Sequence, residues 1–319
     1  MSKFSQHNFA NQKALVRVDF NVPLDKVTFE IKDDTRIKAA IPTIEKILED
    51  GGSVILMSHM GRPKDGPEAK SSLQNIIKHV SDLLGGKKVL FANECVGDEA
   101  VQISKDLQPG EILLLENLRF YKEEEKGDVA FAKKLAALGD VYVNDAFGTA
   151  HRAHASTTIV AQFFPAHKMF GYVMANELAN AEKVLHAAVK PYTAIMGGAK
   201  VSDKILLIEK LIDRVDHLII GGGMAYTFAK ALGGNIGSSL VEEDKIPLAL
   251  SLIQQAKDKG VNLCLPIDSI IADAFSNDAN ISTAMNNAIP DGWMGLDIGE
   301  KSIHVMEEIL AQSKTILWN

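Results

Sequence analysis

Short apolar runs and amphipathic stretches alternate along the whole chain. Val-, Ile- and Leu-rich runs at Ala14–Phe20, Ser53–Ser58, Lys88–Ala92, Ile112–Leu115 and Val141–Asn144 predict strands. A second series follows at Thr193–Met196, His217–Ile220, Val261–Leu265 and Thr315–Trp318. Most are continuous rather than alternating, as in strands buried on both faces of a parallel sheet. Between them, helical periodicity covers Ile37–Glu49, Leu73–Leu84, Asp128–Leu138, Asp203–Ile212, Met224–Leu232 and Ile246–Lys259. Several of these end on a glycine (Gly51, Gly85, Gly139, Gly233 and Gly260), which suits a helix C-terminus. The alternation predicts an α/β protein with doubly wound parallel sheets, helices covering both faces.

Pro165 and Gly171 interrupt the pattern, and Met174–Val189 then reads as one long helix stopped by Pro191. The expected organisation is a first domain over 1–172, a linking hinge helix over 173–190 and a second domain over 191–319. The sequence stops just after a strand-like run, Thr315–Trp318, so the second domain is expected to be incomplete at its C-terminus.

A length of 319 residues suits two domains, and 46% apolar with 24% charged residues is ordinary for a soluble globular protein. No apolar run approaches the roughly 18–20 residues that span a bilayer, and the polar stretch Met1–Gln12 lacks a signal-peptide core. A net charge of −7 argues against general adhesion to nucleic acid or membranes, so neither is an expected partner. Cys95 and Cys264 form no spaced pair, which points away from a disulfide framework or zinc site and towards a reducing cytoplasm.

The arginines change the picture. Of 34 basic residues only six are arginine, and five of these (Arg17, Arg36, Arg62, Arg119 and Arg152) lie in the first half. The last four follow predicted strands, where ligands bind in open α/β sheets. Guanidinium groups suit bidentate contacts with phosphate or carboxylate, so four of them converging predict a site for a small, multiply charged anion. Surface salt bridges are the alternative for each taken singly. His59 shares its loop with Gly61 and Arg62, and His151 and His154 flank Arg152. Asp19 and Asn21 end the first strand, as acceptors for substrate hydroxyls or as turn and cap residues.

The second half carries Gly197–Lys204 (GGAKVSDK), read as a strand-to-helix turn. Small residues there admit a ligand close to the backbone, and a helix N-terminus favours an anion. Lys200 and Lys204 are four apart, so on one helical face they would flank a polyphosphate. Ser202 and Asp203 are helix caps on one reading; on another, Asp203 assists a magnesium ion. Gly221–Gly223 makes a second close-approach turn or simply tight packing. Neither turn matches the Walker A or the dinucleotide glycine pattern.

Together these stretches resemble the phosphoglycerate kinase family from about Lys13 to the last residue. The resemblance is carried, in order, by Arg17–Pro23 (RVDFNVP), Asp34–Ile37 (DTRI), Ser58–Pro63 (SHMGRP), Leu115–Phe120 (LENLRF) and Asn144–His154 (NDAFGTAHRAH). Gly197–Lys204, Ile220–Ala225 (IGGGMA), Gly295–Gly299 (GLDIG) and Thr315–Asn319 (TILWN) follow. It implies two Rossmann-like domains and the glycolytic reaction of 1,3-bisphosphoglycerate and ADP to give 3-phosphoglycerate and ATP, reversibly and by cleft closure. It also implies Mg2+ as cofactor, ATP/ADP as cosubstrate, and a cytoplasmic monomer. By the same resemblance Asp19, Phe20, Asn21, Arg36, His59, Met60, Gly61, Arg62, Arg119, His151 and Arg152 line the phosphoglycerate site. Gly198, Ala199, Lys200, Lys204, Gly222, Gly295 and Asn319 match the nucleotide site. Arg36 and Lys200 are the implied catalytic residues, and Asp203 lies near the metal. Family members continue past the equivalent of Asn319, where the main magnesium ligand is expected. A chain really ending at Asn319 is therefore expected to be a catalytically impaired phosphoglycerate-binding fragment.

Overall fold

The computed structural model describes residues 4–64 and 66–319, which divide into two units between Asn180 and Ala181. In the first unit the strands are β1 (Lys13–Arg17), β2 (Ser53–Met57), β3 (Val89–Ala92), β4 (Ile112–Leu115), β5 (Val141–Asn144) and β6 (Lys168–Phe170). They form one parallel sheet in the order β3-β4-β2-β1-β5-β6. The helices are α1 (Thr35–Glu49), α2 (Ile77–Leu83), α3 (Asp98–Asp106), α4 (Lys122–Lys126) and α5 (Val129–Ala136), followed by α6 (Tyr172–His186), within which the units divide.

Successive strand residues point to opposite faces, and both faces are apolar. Ala14, Val16, Val54, Leu56, Ile112 and Leu114 join Ile37, Ile44 and Ile47 of α1 in one core. Leu15, Ile55, Met57, Leu113 and Leu115 join Phe131 and Leu135 of α5 in the other. That double burial is why the strands read as unbroken apolar runs. β1 lies inside the sheet with β2 on one side and β5 on the other, so the loops after these strands open at the same carboxyl edge.

The second unit has a parallel sheet in the order β10-β8-β7-β15, formed by β7 (Tyr192–Met196), β8 (His217–Ile220), β10 (Asn262–Cys264) and β15 (Thr315–Trp318). Its helices are α7 (Ile205–Ile212), α8 (Met224–Ala231), α9 (Ile246–Asp258) and α10 (Glu300–Gln312). β9 (Asn235–Ile236) pairs with β13 (Ala288–Ile289). β11 (Asp268–Ala272), β12 (Ile281–Met285) and β14 (Met294–Ile298) form an antiparallel sheet that the apolar pattern does not predict, because β12 is largely exposed. The mixed α/β architecture with parallel sheets is as expected.

Two local expectations are corrected. The helix predicted from Asp203 begins at Ile205, behind a turn, so Lys200 lies in the preceding loop and shares no helical face with Lys204. Ser202 does not cap it; its N–H and Oγ both donate to the Glu242 carboxylate, at 3.1 and 2.6 Å. Among the glycines expected after helices, Gly51, Gly85, Gly233 and Gly260 do take positive φ, but Gly139 does not. A Cβ on Gly139 would lie 2.9 Å from that of Leu15, so this glycine is required by packing on β1.

Candidate active site

Most residues singled out in the first half lie in loops at the carboxyl edge of its sheet. Asp19 and Asn21 follow β1, and Arg36 stands in the first turn of α1. Arg36 Nη1 donates to Asp19 Oδ2 and to the Asn21 carbonyl, both at 3.1 Å, with about half of its side chain left open. Asn21 Oδ1 accepts the Gly61 N–H at 2.8 Å, tying the loop after β1 to that after β2. The Gly61 carbonyl in turn accepts Arg119 Nη1 at 2.7 Å. Gly61 has φ +65°, so a side chain there would strain this joint.

Asn117, fully buried after β4, holds the segment after β2 and Arg119 from beneath. Its amide donates to the carbonyls of Met60 (2.7 Å) and Ser71 (2.8 Å), and its Oδ1 accepts the N–H groups of Met60 (3.2 Å) and Arg119 (3.0 Å). Asn117 is not among the residues predicted for the site, although an amide inside LENLRF directly behind an apolar strand is a signal.

Arg119 is nearly buried, and its Nε lies 3.5 Å from Glu125. Burial draws its pKa below the ordinary arginine value; Glu125 opposes this, while Arg152, Arg17 and Arg62 reinforce it. Arginines close enough to repel one another form a site that is electrostatically incomplete without an anion. Arg62 and Lys64 join Arg119 and Lys122 around a cavity of about 570 Å³. His151 and Arg152 follow β5, with the His151 ring 3.4 Å from Arg152 Nε. A Cβ on Gly148 in that loop would lie 3.2 Å from Asp19, so it meets the loop after β1.

Phe20 and Met60 stand differently. Both side chains lie in the core. Phe20 N donates to Ser58 Oγ at 2.9 Å and its carbonyl accepts from Val22, while both Met60 backbone groups are taken by Asn117. These two residues hold the loops, with their side chains in the core and their backbone N–H groups already paired.

His59 is 4% exposed, and its pKa is pulled down to about 2, first by burial and then by the charges of Arg17, Arg119, Arg36 and the neighbouring His154. It is a neutral imidazole set among cations. Arg17, read in the sequence only as part of the arginine pattern, is fully buried at the end of β1 beside it.

In the second unit, two glycine turns interlock. Gly198 has φ +134° and Gly222 φ +68°, and a Cβ on Gly222 would come within 2.7 Å of the Gly198 carbonyl oxygen. That carbonyl accepts the Met224 N–H at 3.0 Å, joining the turn after β7 to the start of α8. Ala199 packs against Gly223. The Asn319 carbonyl accepts the Gly197 N–H at 2.9 Å, and its side chain accepts from Lys204 Nζ. Gly198, Ala199, Lys204, Gly222 and Asn319 are thus brought together, with Lys200 exposed in the same loop. Gly295 lies on β14, so close to Tyr226 in the first turn of α8 that no side chain fits. Among the described residues no three His, Cys, Asp or Glu side chains, Asp203 included, are grouped to hold a metal. The described residues therefore do not form a protein cage for magnesium.

The model of the phosphoglycerate kinase family matches residues 4–319. This chain belongs to the phosphoglycerate kinase family. It is 52% identical to the phosphoglycerate kinase of Porphyromonas gingivalis, over 98% of this chain and 80% of that protein. The phosphoglycerate kinase of a Nostoc species is also 52% identical, over 100% and 79% of the two chains. The structure of phosphoglycerate kinase from Coxiella burnetii is 37% identical with a TM-score of 0.80, covering 99% of this chain and 78% of that one. Among the described residues no helix is long and apolar enough to cross a membrane.

Proposed function

We propose that this protein transfers the acyl phosphate of 1,3-bisphosphoglycerate to ADP, reversibly, giving 3-phosphoglycerate and ATP. Family membership over residues 4–319 supports the reaction and does not favour a protein that only binds the acid. The observation that carries the assignment to residues is the cationic cluster of Arg36, Arg62, Arg119 and Arg152 beside neutral His59 at the sheet's carboxyl edge. Phosphoryl transfer needs little covalent chemistry from the protein; its rate comes from positioning and from neutralising the equatorial oxygens. In this reading the arginines, His59, His151, Asp19, Asn21 and the Gly61 segment bind the phosphorylated acid. Phe20 and Met60 keep only a supporting part.

The nucleotide is assigned to the interlocked turns. Gly198, Ala199 and Gly222 expose backbone to the phosphates, Lys204 and Asn319 close one side, and Gly295 lets β14 lie directly against Tyr226 of α8. Arg36 and Lys200 are assigned to the moving phosphoryl group. Magnesium, which offsets phosphate charge, would be carried mainly by the nucleotide with Asp203 nearby. We further assign α6 as the link between the domains, in keeping with a division of the two units that falls inside it. The chain is read as a cytoplasmic monomer; its two cysteines are buried and free, as a reducing compartment permits.

The test is coupled ATP formation from 1,3-bisphosphoglycerate and Mg-ADP. Loss of turnover by about 100-fold or more in Arg36→Ala and Lys200→Ala, with folding intact, is expected for groups that act on transition-state charge. Wild-type rates in both variants would remove these two residues from the chemistry.

A further inference from the structure

Arg17 ends an apolar strand, yet its side chain points into the protein and is fully buried. Its Nε donates to Ser156 Oγ at 3.0 Å, Nη1 donates to the Val18 carbonyl, and Nη2 lies 3.2 Å from His59 Nδ1. Ser156 Oγ donates onward to Glu124 Oε1 at 2.6 Å, and Ser156 N donates to Glu124 Oε2 at 2.9 Å. Glu124, itself 1% exposed, is the carboxylate that compensates the buried guanidinium.

The direction of each bond in this chain is fixed by chemistry. A guanidinium has donors and no acceptor, and a carboxylate accepts. Ser156 spends its proton on Glu124 and therefore accepts from Arg17. His59 Nδ1, facing an N–H of Arg17, can only accept. The imidazole proton then resides on Nε2. Among the described residues no protein group accepts from Nε2, and Nε2 is not sealed from solvent, so this N–H is open to a ligand.

We infer that Arg17 is a positioning residue that locks His59 in the Nε2–H tautomer, so that a neutral N–H donor faces an acceptor oxygen of the bound phosphorylated acid. The charged or titratable groups facing the ring are Arg17 from β1, Arg36 from α1, Arg119 after β4 and His154 after β5. The first three are permanent cations. A second proton on the ring would place an N–H against the Arg17 N–H and another charge in the cationic cluster. His59 therefore supplies direction while the arginines supply charge. The assignment of the acceptor to the substrate rests on the proposed phosphoglycerate reading; the tautomer does not.

The test begins with the unliganded wild-type protein, 15N-labelled at histidine, with His59 assigned from the spectrum of His59→Gln. Long-range 1H–15N spectra are expected to show Nδ1 unprotonated, Nε2 protonated, and no titration of this ring between pH 5 and 8. A proton on Nδ1, or titration near the ordinary histidine value, overturns the proposal without any variant of Arg17. In coupled assays Arg17→Met is expected to raise KM for the acid about tenfold with kcat little changed, and to let His59 titrate within that range. His59→Gln, whose amide can place a donor near the Nε2 position, is expected to bind the acid better than His59→Asn. An unchanged KM in Arg17→Met, or Asn surpassing Gln, overturns the positioning role while leaving the family reading intact. A wild-type protein that transfers no phosphoryl group at all would instead count against the proposed function and leave the tautomer standing.

Discussion

Asn21 Oδ1 and the Gly61 N–H meet at 2.8 Å, a bond that ties together the loops following two neighbouring parallel strands. It sets Arg36 and Arg119 around a common frame, since each also donates to a backbone carbonyl of this pair.

Asn21→Ala removes that joint. Loss of about 1 kcal/mol of stability is expected for one part-buried hydrogen bond, read by urea unfolding. KM for the acid should rise several-fold as the two loops separate. Unchanged KM would show that the loops are held adequately by other bonds, such as Phe20 N to Ser58 Oγ.

His59 predicts an acid sensitivity whose sign can be worked out. Its folded pKa, about 2, lies below the ordinary histidine value of 6.5, so between these values the unfolded chain binds more protons. The contribution is fully present above about pH 6.5 and is lost as pH falls through that window. From pH 7 to pH 5 the wild type should lose about 2 kcal/mol on this account, and His59→Gln should be spared that loss. Parallel stability curves for the two proteins over this range would contradict it.

Glu124→Ala strands the buried Arg17 charge and leaves the Ser156 N–H without its acceptor. Removing one partner of a buried charge network costs about 3–5 kcal/mol. The thermal midpoint should fall steeply, whereas an exposed control such as Glu300→Ala should change little. A small loss at Glu124 would mean that Arg17 finds its compensation elsewhere.

Gly222→Ala combines a strained φ of +68° with a Cβ only 2.7 Å from the Gly198 carbonyl. The turns should be forced apart, raising KM for ADP by about tenfold or more with less effect on KM for the acid. Equal effects on both substrates would argue for a general loss of folding.

Much of the fold was legible in the residues. Ile112–Leu115, Val141–Asn144, His217–Ile220 and Thr315–Trp318 form strands with the expected limits, because apolar runs in parallel sheets end sharply at polar or glycine-bearing loops. The antiparallel strands β11, β12 and β14 were hidden, since β12 (ISTAM) is half polar and mostly exposed. α7 starts later than the spacing of Lys200 and Lys204 suggests, because the Ser202–Glu242 pairing holds the backbone in a turn. At the first site, loop residues carrying charge were readable one by one. What the sequence could not show was which of them face inward. Arg17 and Asn117 differ from Arg36 and Asn21 only in the burial that the sheet imposes.

Asn117 also bears on the thermodynamics of recognition. Its amide is bonded to Met60, Ser71 and Arg119, all within the protein, and it lies wholly out of water. The conformational entropy of three loop segments is thereby surrendered during folding. An anion arriving at Arg119 meets a surface already ordered, so little of its binding enthalpy is offset by fresh ordering of the chain.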